Sequence, residues 1–147
     1  MSKVIVVGYD DKEPATRALE RAIAEAKASH GQLVVVGITE TPFNPEGPQS
    51  LGSLGGNSAE MLPLVEPPEI QAAFAHARQK TEAAGLSADF VWAAGDPSET
   101  ILDVARTREA TLVVLGSHHH SLLGRLLGAD VAAEIKRQAG CDVIVAD

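Results

Sequence analysis

The sequence predicts an α/β fold, a single domain built on an open, mostly parallel five-stranded sheet with helices on both faces. Three observations predict it. Five short apolar runs, most of them rich in β-branched residues, recur along the chain, and helical periodicities lie between them. The length, 147 residues, suits one substantial core rather than two. Alternation of strand and helix implies crossover connections, and crossovers build parallel sheets.

Four of the runs, KVIVVGY (3–9), QLVVVGI (32–38), TLVVLG (111–116) and DVIVA (142–146), are continuously apolar. That pattern suits strands covered on both faces. The remaining run, ADFVWA (88–93), carries Phe90 and Trp92 on one face, which suits a place nearer an edge.

The helices follow from period and caps. Leu19, Ala22, Ile23 and Ala26 share one helical face, with Gly31 at the expected C-terminal cap. Ile70, Ala73, Phe74 and Ala77 repeat the pattern, closed by Gly85. DPSE starts the third helix: Asp96 caps, Pro97 fits the first turn, and Glu99 completes a capping box. Ile101, Val104 and Ala105 then face inward. Val131, Ala132, Ile135 and Ala139 mark a fourth helix that stops near Gly140. Residues 40–69, rich in Pro, Gly and Ser, lack any period and form a loop insertion, either a lid over a pocket or a tolerated surface loop.

Twelve basic residues against twenty acidic ones give a net charge of −8, which argues against nucleic acid or an anionic membrane as partner. The N-terminal run is too short for a signal peptide, and no run reaches membrane-spanning length. Cys141, the single cysteine, cannot form an internal disulfide. A cytoplasmic protein is expected.

In an open parallel sheet, ligands bind beyond the carboxyl ends of the strands, where strand order reverses. Two segments leaving strands are equipped for this: GYDDKEP (8–14) and GSHHHSLLGRLLGAD (116–130). The second offers glycines for close backbone approach and the start of a helix near Gly128, which favours an anion. The sequence contains no G-x-G-x-x-G after the first strand, no G-x-x-x-x-G-K-[ST] and no G-x-S-x-G elbow. Neither a dinucleotide enzyme of the usual kind nor a P-loop NTPase is supported.

Three pieces in order, VIVVGYDDKEPATRAL, GDPSETILDVARTREATLVVLGSHHHS and LLGADVAAEIKRQAGCDVIVAD, resemble the universal stress protein family over nearly the whole chain. The resemblance implies strand order 3-2-1-4-5 and an adenine nucleotide alpha hydrolase-like fold. It also implies ATP binding, which many members achieve through G-x₂-G-x₉-G-[ST]. Here the second position is His119, Gly128 comes one residue early, and Ala129 replaces Ser or Thr. The shorter spacing is similar to a subclass with SHRP…LLGSN-like loops. On that alignment Gly116, Ser117, His118, Gly128, Ala129 and Asp130 would surround the phosphates and ribose. Asp10 would meet the adenosine and the Ile38 backbone the adenine edge, with Tyr9, Asp11, His119 and Val131 alongside. Asp11 and Lys12 stand where the family usually has Gly-Ser. The missing hydroxyl at Ala129 would cost about 1 kcal/mol, which weakens such a site without abolishing it.

Three adjacent histidines in a loop point in different directions and do not converge on one metal. The preferred reading makes His118 or His119 a phosphate donor; a solvated polar loop is the alternative. Asp10 is read as a ligand contact or, more simply, as a strand-end carboxylate. Arg125 is a phosphate clamp or an ordinary exposed arginine. Cys141 reads as an inert thiol, and Asp96 and Glu99 as caps rather than a catalytic pair. No general base and no metal site are evident, so ATP, with or without Mg²⁺, is expected as a regulatory ligand with slow or no turnover. The last strand would lie at a sheet edge, open to pairing with a second copy, as relatives in the family pair. The alternatives are a nucleotide-free dimeric interaction module and, more remotely, an adenylate-processing enzyme.

Overall fold

The structure, a computed structural model, describes residues 3–39, 66–95, 97–116 and 135–146. Its strands are β1 (Val4–Gly8), β2 (Gln32–Thr39), β3 (Ala88–Ala94), β4 (Leu112–Gly116) and β5 (Asp142–Ala146). They form one sheet in the order β3-β2-β1-β4-β5. Every neighbouring pair is parallel. The helices named here are α1 (Glu13–Ser29), α2 (Pro68–Ala83) and α3 (Pro97–Thr107), and residues 135–139 are also helical.

Alternate residues of each strand feed two cores. Ile5, Val7, Leu33, Val35 and Val114 pack with Leu19, Ala22, Phe74 and Ala77, so α1 and α2 cover one face. Val6, Val34, Val36, Val113 and Leu115 pack with Ile101, Ala105, Ile135 and Cys141, so α3 and the segment 135–139 cover the other. Covering both faces is why the central strands read as unbroken apolar runs.

Two boundaries differ from the sequence reading. The left-handed residue that ends α1 is His30 (φ 56), and the Gly31 N–H donates to the Ala26 carbonyl at 2.9 Å. Gly31 is needed for space instead: a Cβ there would lie 2.8 Å from the Lys3 carbonyl oxygen. The insertion also ends earlier than residue 69. Helix α2 begins at Pro68, because proline fits the first turn, where its missing N–H leaves no bond unmade. Residues 40–65 lie outside the described residues, as do Asp96 and positions 131–134. Gly85 (φ 80) and Gly140 (φ 70) follow their helices as expected.

Strand β3 occupies one edge and β5 the other. Phe90 of β3 packs against Phe74 at a centroid distance of 5.1 Å, and the Arg78 guanidinium lies 4.5 Å over the Phe90 ring. On the opposite edge, Val145 is 45% exposed, the large apolar side chain most open to solvent among the described residues. No helix among the described residues is long and apolar enough to cross a membrane.

Candidate functional site

Strand order reverses between β1 and β4, which pair directly through Ile5↔Leu112, Val6↔Val113 and Val7↔Val114. The two segments picked out for ligand contact therefore leave adjacent strand ends, the place where open α/β sheets bind ligands. Beside them β2 runs on: Gly8 pairs with Val36, so Gly37, Ile38 and Thr39 extend past the last β1 pair.

The turn leaving β1 is tightly specified. The Tyr9 N–H continues the ladder by donating to the Val36 carbonyl at 2.9 Å. Its side chain is buried against α1 and α2, and its hydroxyl donates to Asp11 Oδ1 at 2.9 Å. Burial pushes the Tyr9 phenol up to about 12, and the hydrogen bond to Asp11 and the charges of Asp11 and Asp10 act in the same direction against an opposing contact from Thr16. The phenol therefore stays a donor at any physiological pH. Asp10 Oδ1 accepts the Lys12 N–H at 3.1 Å, a local turn that fixes its carboxylate. Asp11 takes the left-handed conformation (φ 67), which aspartate tolerates better than most residues.

Lys12 is the N-cap of α1 and makes no side-chain cap bond; its carbonyl accepts the Thr16 N–H at 2.8 Å and the Thr16 hydroxyl at 3.1 Å. Gly116, at the end of β4, lies hard against this first turn. A Cβ built on it would sit 2.7 Å from the Pro14 carbonyl oxygen and 2.8 Å from the Pro14 carbonyl carbon. The glycine thus brings the end of β4 against the start of α1.

Of the residues expected to meet a ligand, Tyr9, Asp10, Asp11 and Gly116 gather at this end of the sheet. Ile38 lies at the same end, its side chain buried in the core facing α3. Its side chain is thus turned away from the crevice end of the sheet. Tyr9 likewise presents no side chain, and the Asp11 carboxylate is engaged within the protein. Ser117, His118, His119, Gly128, Ala129, Asp130 and Val131 lie outside the described residues, as does Arg125.

One residue escapes the sequence reading. His76 Nδ1 of α2 is 2.9 Å from both carboxylate oxygens of Asp11. A histidine on the exposed face of a helix carries no local mark of a partner 65 positions away.

Elsewhere, a cleft of about 440 Å³ opens at the amino ends of β1, β4 and β5, lined by Lys3, Glu25, Ser29, Thr111 and Ile144 among others. Three of its polar groups are already used: Ser29 donates to the Glu25 carbonyl, Glu25 pairs with Arg21, and Thr111 donates to the Val4 carbonyl. It lies at the wrong end of the sheet for the reversal point. Cys141 is buried, and burial raises its thiol above the ordinary range, with the Asp142 charge adding to the effect. A thiol so placed is a poor nucleophile. Among the described residues, no three His, Cys, Asp or Glu side chains group closely enough to hold a metal.

Known proteins share this arrangement. A universal stress protein of Thermus aquaticus is 28% identical over 149 residues, covering 99% of this chain and 98% of that protein. Another, from Methanocaldococcus jannaschii, is 25% identical over 144 residues, 97% of this chain and 81% of that one. Among solved structures, a universal stress protein in complex with cAMP superposes with a TM-score of 0.68 at 24% identity, covering 99% and 96% of the two chains. An Arabidopsis thaliana member with AMP bound superposes with a TM-score of 0.60 at 13% identity, covering 98% and 90%. Residues 1–147 match the profile of the "Universal stress protein family" from end to end. With the strand order, the reversal at β1 and β4 and this full-length match in agreement, the chain belongs to the universal stress protein family.

Proposed function

We infer that this chain is a cytoplasmic stress-response protein that binds ATP as a regulatory ligand in the crevice between the ends of β1 and β4. The observation that carries this reading is the approach of Gly116 to the first turn of α1, which sets the Asp10 turn beside the end of β4. Relatives of the same fold hold cAMP and AMP, which supports an adenine nucleotide here. On this reading the adenosine meets Asp10 and the Ile38 main chain, and the phosphates meet backbone amides of the segment 116–130. Mg²⁺ would arrive with the triphosphate. Fast hydrolysis is not expected, because the described part of the crevice supplies no general base aimed at a phosphate.

The test is direct. Freshly purified protein, denatured and cleared, is expected to release adenine nucleotide into the supernatant, and MgATP at millimolar concentration is expected to raise Tm. A clean supernatant with no thermal shift would refute the reading. It would favour the second one, a nucleotide-free dimeric module, which His119 and Ala129 support by replacing the family's glycine and hydroxyl.

Both readings take the protein as a homodimer through β5. The edge is apolar, Val145 is 45% exposed on it, and an open strand edge presents unpaired main-chain groups to a second copy. Sedimentation at micromolar concentration is expected to give twice the chain mass, and Val145→Lys is expected to give the monomer. A wild-type chain that sediments as a monomer would remove the dimer.

A further inference from the structure

We propose that His76 is a positioning residue for the Asp10–Lys12 turn, and that its proton makes the conformation of that turn depend on pH. As far as it concerns nucleotide affinity, this rests on the reading above; the coupling itself does not.

The turn is a unit held from outside. Asp11 sits in the left-handed region (φ 67), which aspartate tolerates but which few non-glycine residues adopt without support from neighbours. Its carboxylate is gripped on two sides, by the Tyr9 hydroxyl at 2.9 Å and by His76 Nδ1, 2.9 Å from each oxygen. Next to it, Asp10 Oδ1 accepts the Lys12 N–H at 3.1 Å. Moving Asp11 therefore moves the Asp10 carboxylate and the start of α1 together.

An ionised carboxylate only accepts, so His76 Nδ1 must carry a hydrogen. It does so either as a neutral imidazole or as imidazolium. The charged form adds coulombic attraction and makes the stronger bond. Histidine is the side chain that changes charge within the physiological range. The sign follows from charge: the imidazolium grips Asp11 more firmly than the neutral ring does.

Among the described residues, the other charged groups near the pair are Asp10 and Lys12 of the turn itself and Lys80, one helical turn beyond His76. Lys80 is taken up by Glu20 of α1 at 3.3 Å, and Glu13 and Arg17 of α1 pair with each other at 3.0 Å. Tyr9 stays neutral, so among the described groups of the turn the proton on His76 is the local variable. The His76 and Asp11 side chains are 56% and 34% exposed, so the proton exchanges freely with solvent and the effect is modest. A two- to fivefold change is the range that partly exposed ion pairs produce, roughly.

Tyr9 is the only tyrosine, which makes the coupling visible without any ligand. In ligand-free protein carrying ¹³C-labelled tyrosine, the Tyr9 ring resonance is expected to inflect with pH across the range in which histidine side chains change charge. His76→Gln, which keeps a donor but cannot gain a proton, is expected to fold with unchanged Tm and to lose the inflection. His76→Ala is expected to lose it too. A flat Tyr9 resonance in the wild type, or an inflection that persists in His76→Gln, overturns the proposal. In the second arm, MgATP affinity is expected to be about two- to fivefold tighter near pH 6 than near pH 8 in the wild type, relative to the same ratio in His76→Gln. Equal ratios remove the positioning role. An inflection with no nucleotide binding at any pH leaves the coupling standing and removes the nucleotide reading instead.

Discussion

Replacing Phe74 by alanine is expected to destabilise the fold by about 3–5 kcal/mol, the usual cost of truncating a buried aromatic side chain. Phe74 is 3% exposed and is the one large aromatic on the buried face of α2, whose other buried positions are Ile70, Ala73, Ala77 and Thr81. Its ring meets Phe90 of β3 at 5.1 Å and covers Gly37 of β2, where a Cβ would lie 2.9 Å from Cε1 and 3.0 Å from Cζ. Two features keep the hole from closing. Gly37 has no side chain to move into it, and the neighbouring alanines are already at their smallest. Urea unfolding at constant slope measures the loss. A change under about 1 kcal/mol would mean that α2 is seated by something other than Phe74. The same anchor carries His76 two residues on, so a loosened α2 would also weaken the Tyr9 inflection.

That anchor shows how far local pattern reaches. The inward face of α2 is plain from the spacing of Ile70, Ala73, Phe74 and Ala77. The partner of Phe74 is not, because a glycine in an apolar strand looks the same whether it is incidental or is the floor under a ring. Strands were easy to find for a physical reason: helices lie on both faces of the sheet, so β1, β2 and β4 had no polar alternation to confuse. Helix ends were less legible. Gly31 looks like the cap of α1, yet the backbone turns at His30, and Gly31 answers to the Lys3 carbonyl across the strand. Only a three-dimensional neighbour separates those two demands on a glycine.

The crevice divides in the same way. That Asp10 and Gly116 lie together at this end of the sheet could be read in advance, because strand ends at the point of reversal are placed by topology whatever the residue. The side-chain network there could not. Tyr9 reads as the tail of an apolar run, Asp11 as one more acidic loop residue and His76 as surface. Their chain of hydrogen bonds exists only once α2 lies beside α1, and nothing in the spacing of 9, 11 and 76 encodes it. Asp11 is instructive, since its position suggests a ligand contact while its carboxylate is committed to Tyr9 and His76.

Gly116→Ala is the substitution that separates fold from ligand in this crevice. It is expected to cost about 1–3 kcal/mol with no nucleotide present, as overpacking does where the obstacle is backbone. The added methyl would meet the Pro14 carbonyl oxygen at 2.7 Å and carbon at 2.8 Å, and neither can swing away as a flexible side chain could. For a chain of this size each kcal/mol corresponds to roughly 2–4 °C in Tm. Relief can come only by sliding the first turn of α1 outward, which drags Lys12 and the carboxylate of Asp10 with it. On the proposed function, affinity for MgATP, measured well below the lowered Tm, is therefore expected to fall as well, although the methyl points at α1. If the ligand-free variant were as stable as the wild type, the close approach would be soft.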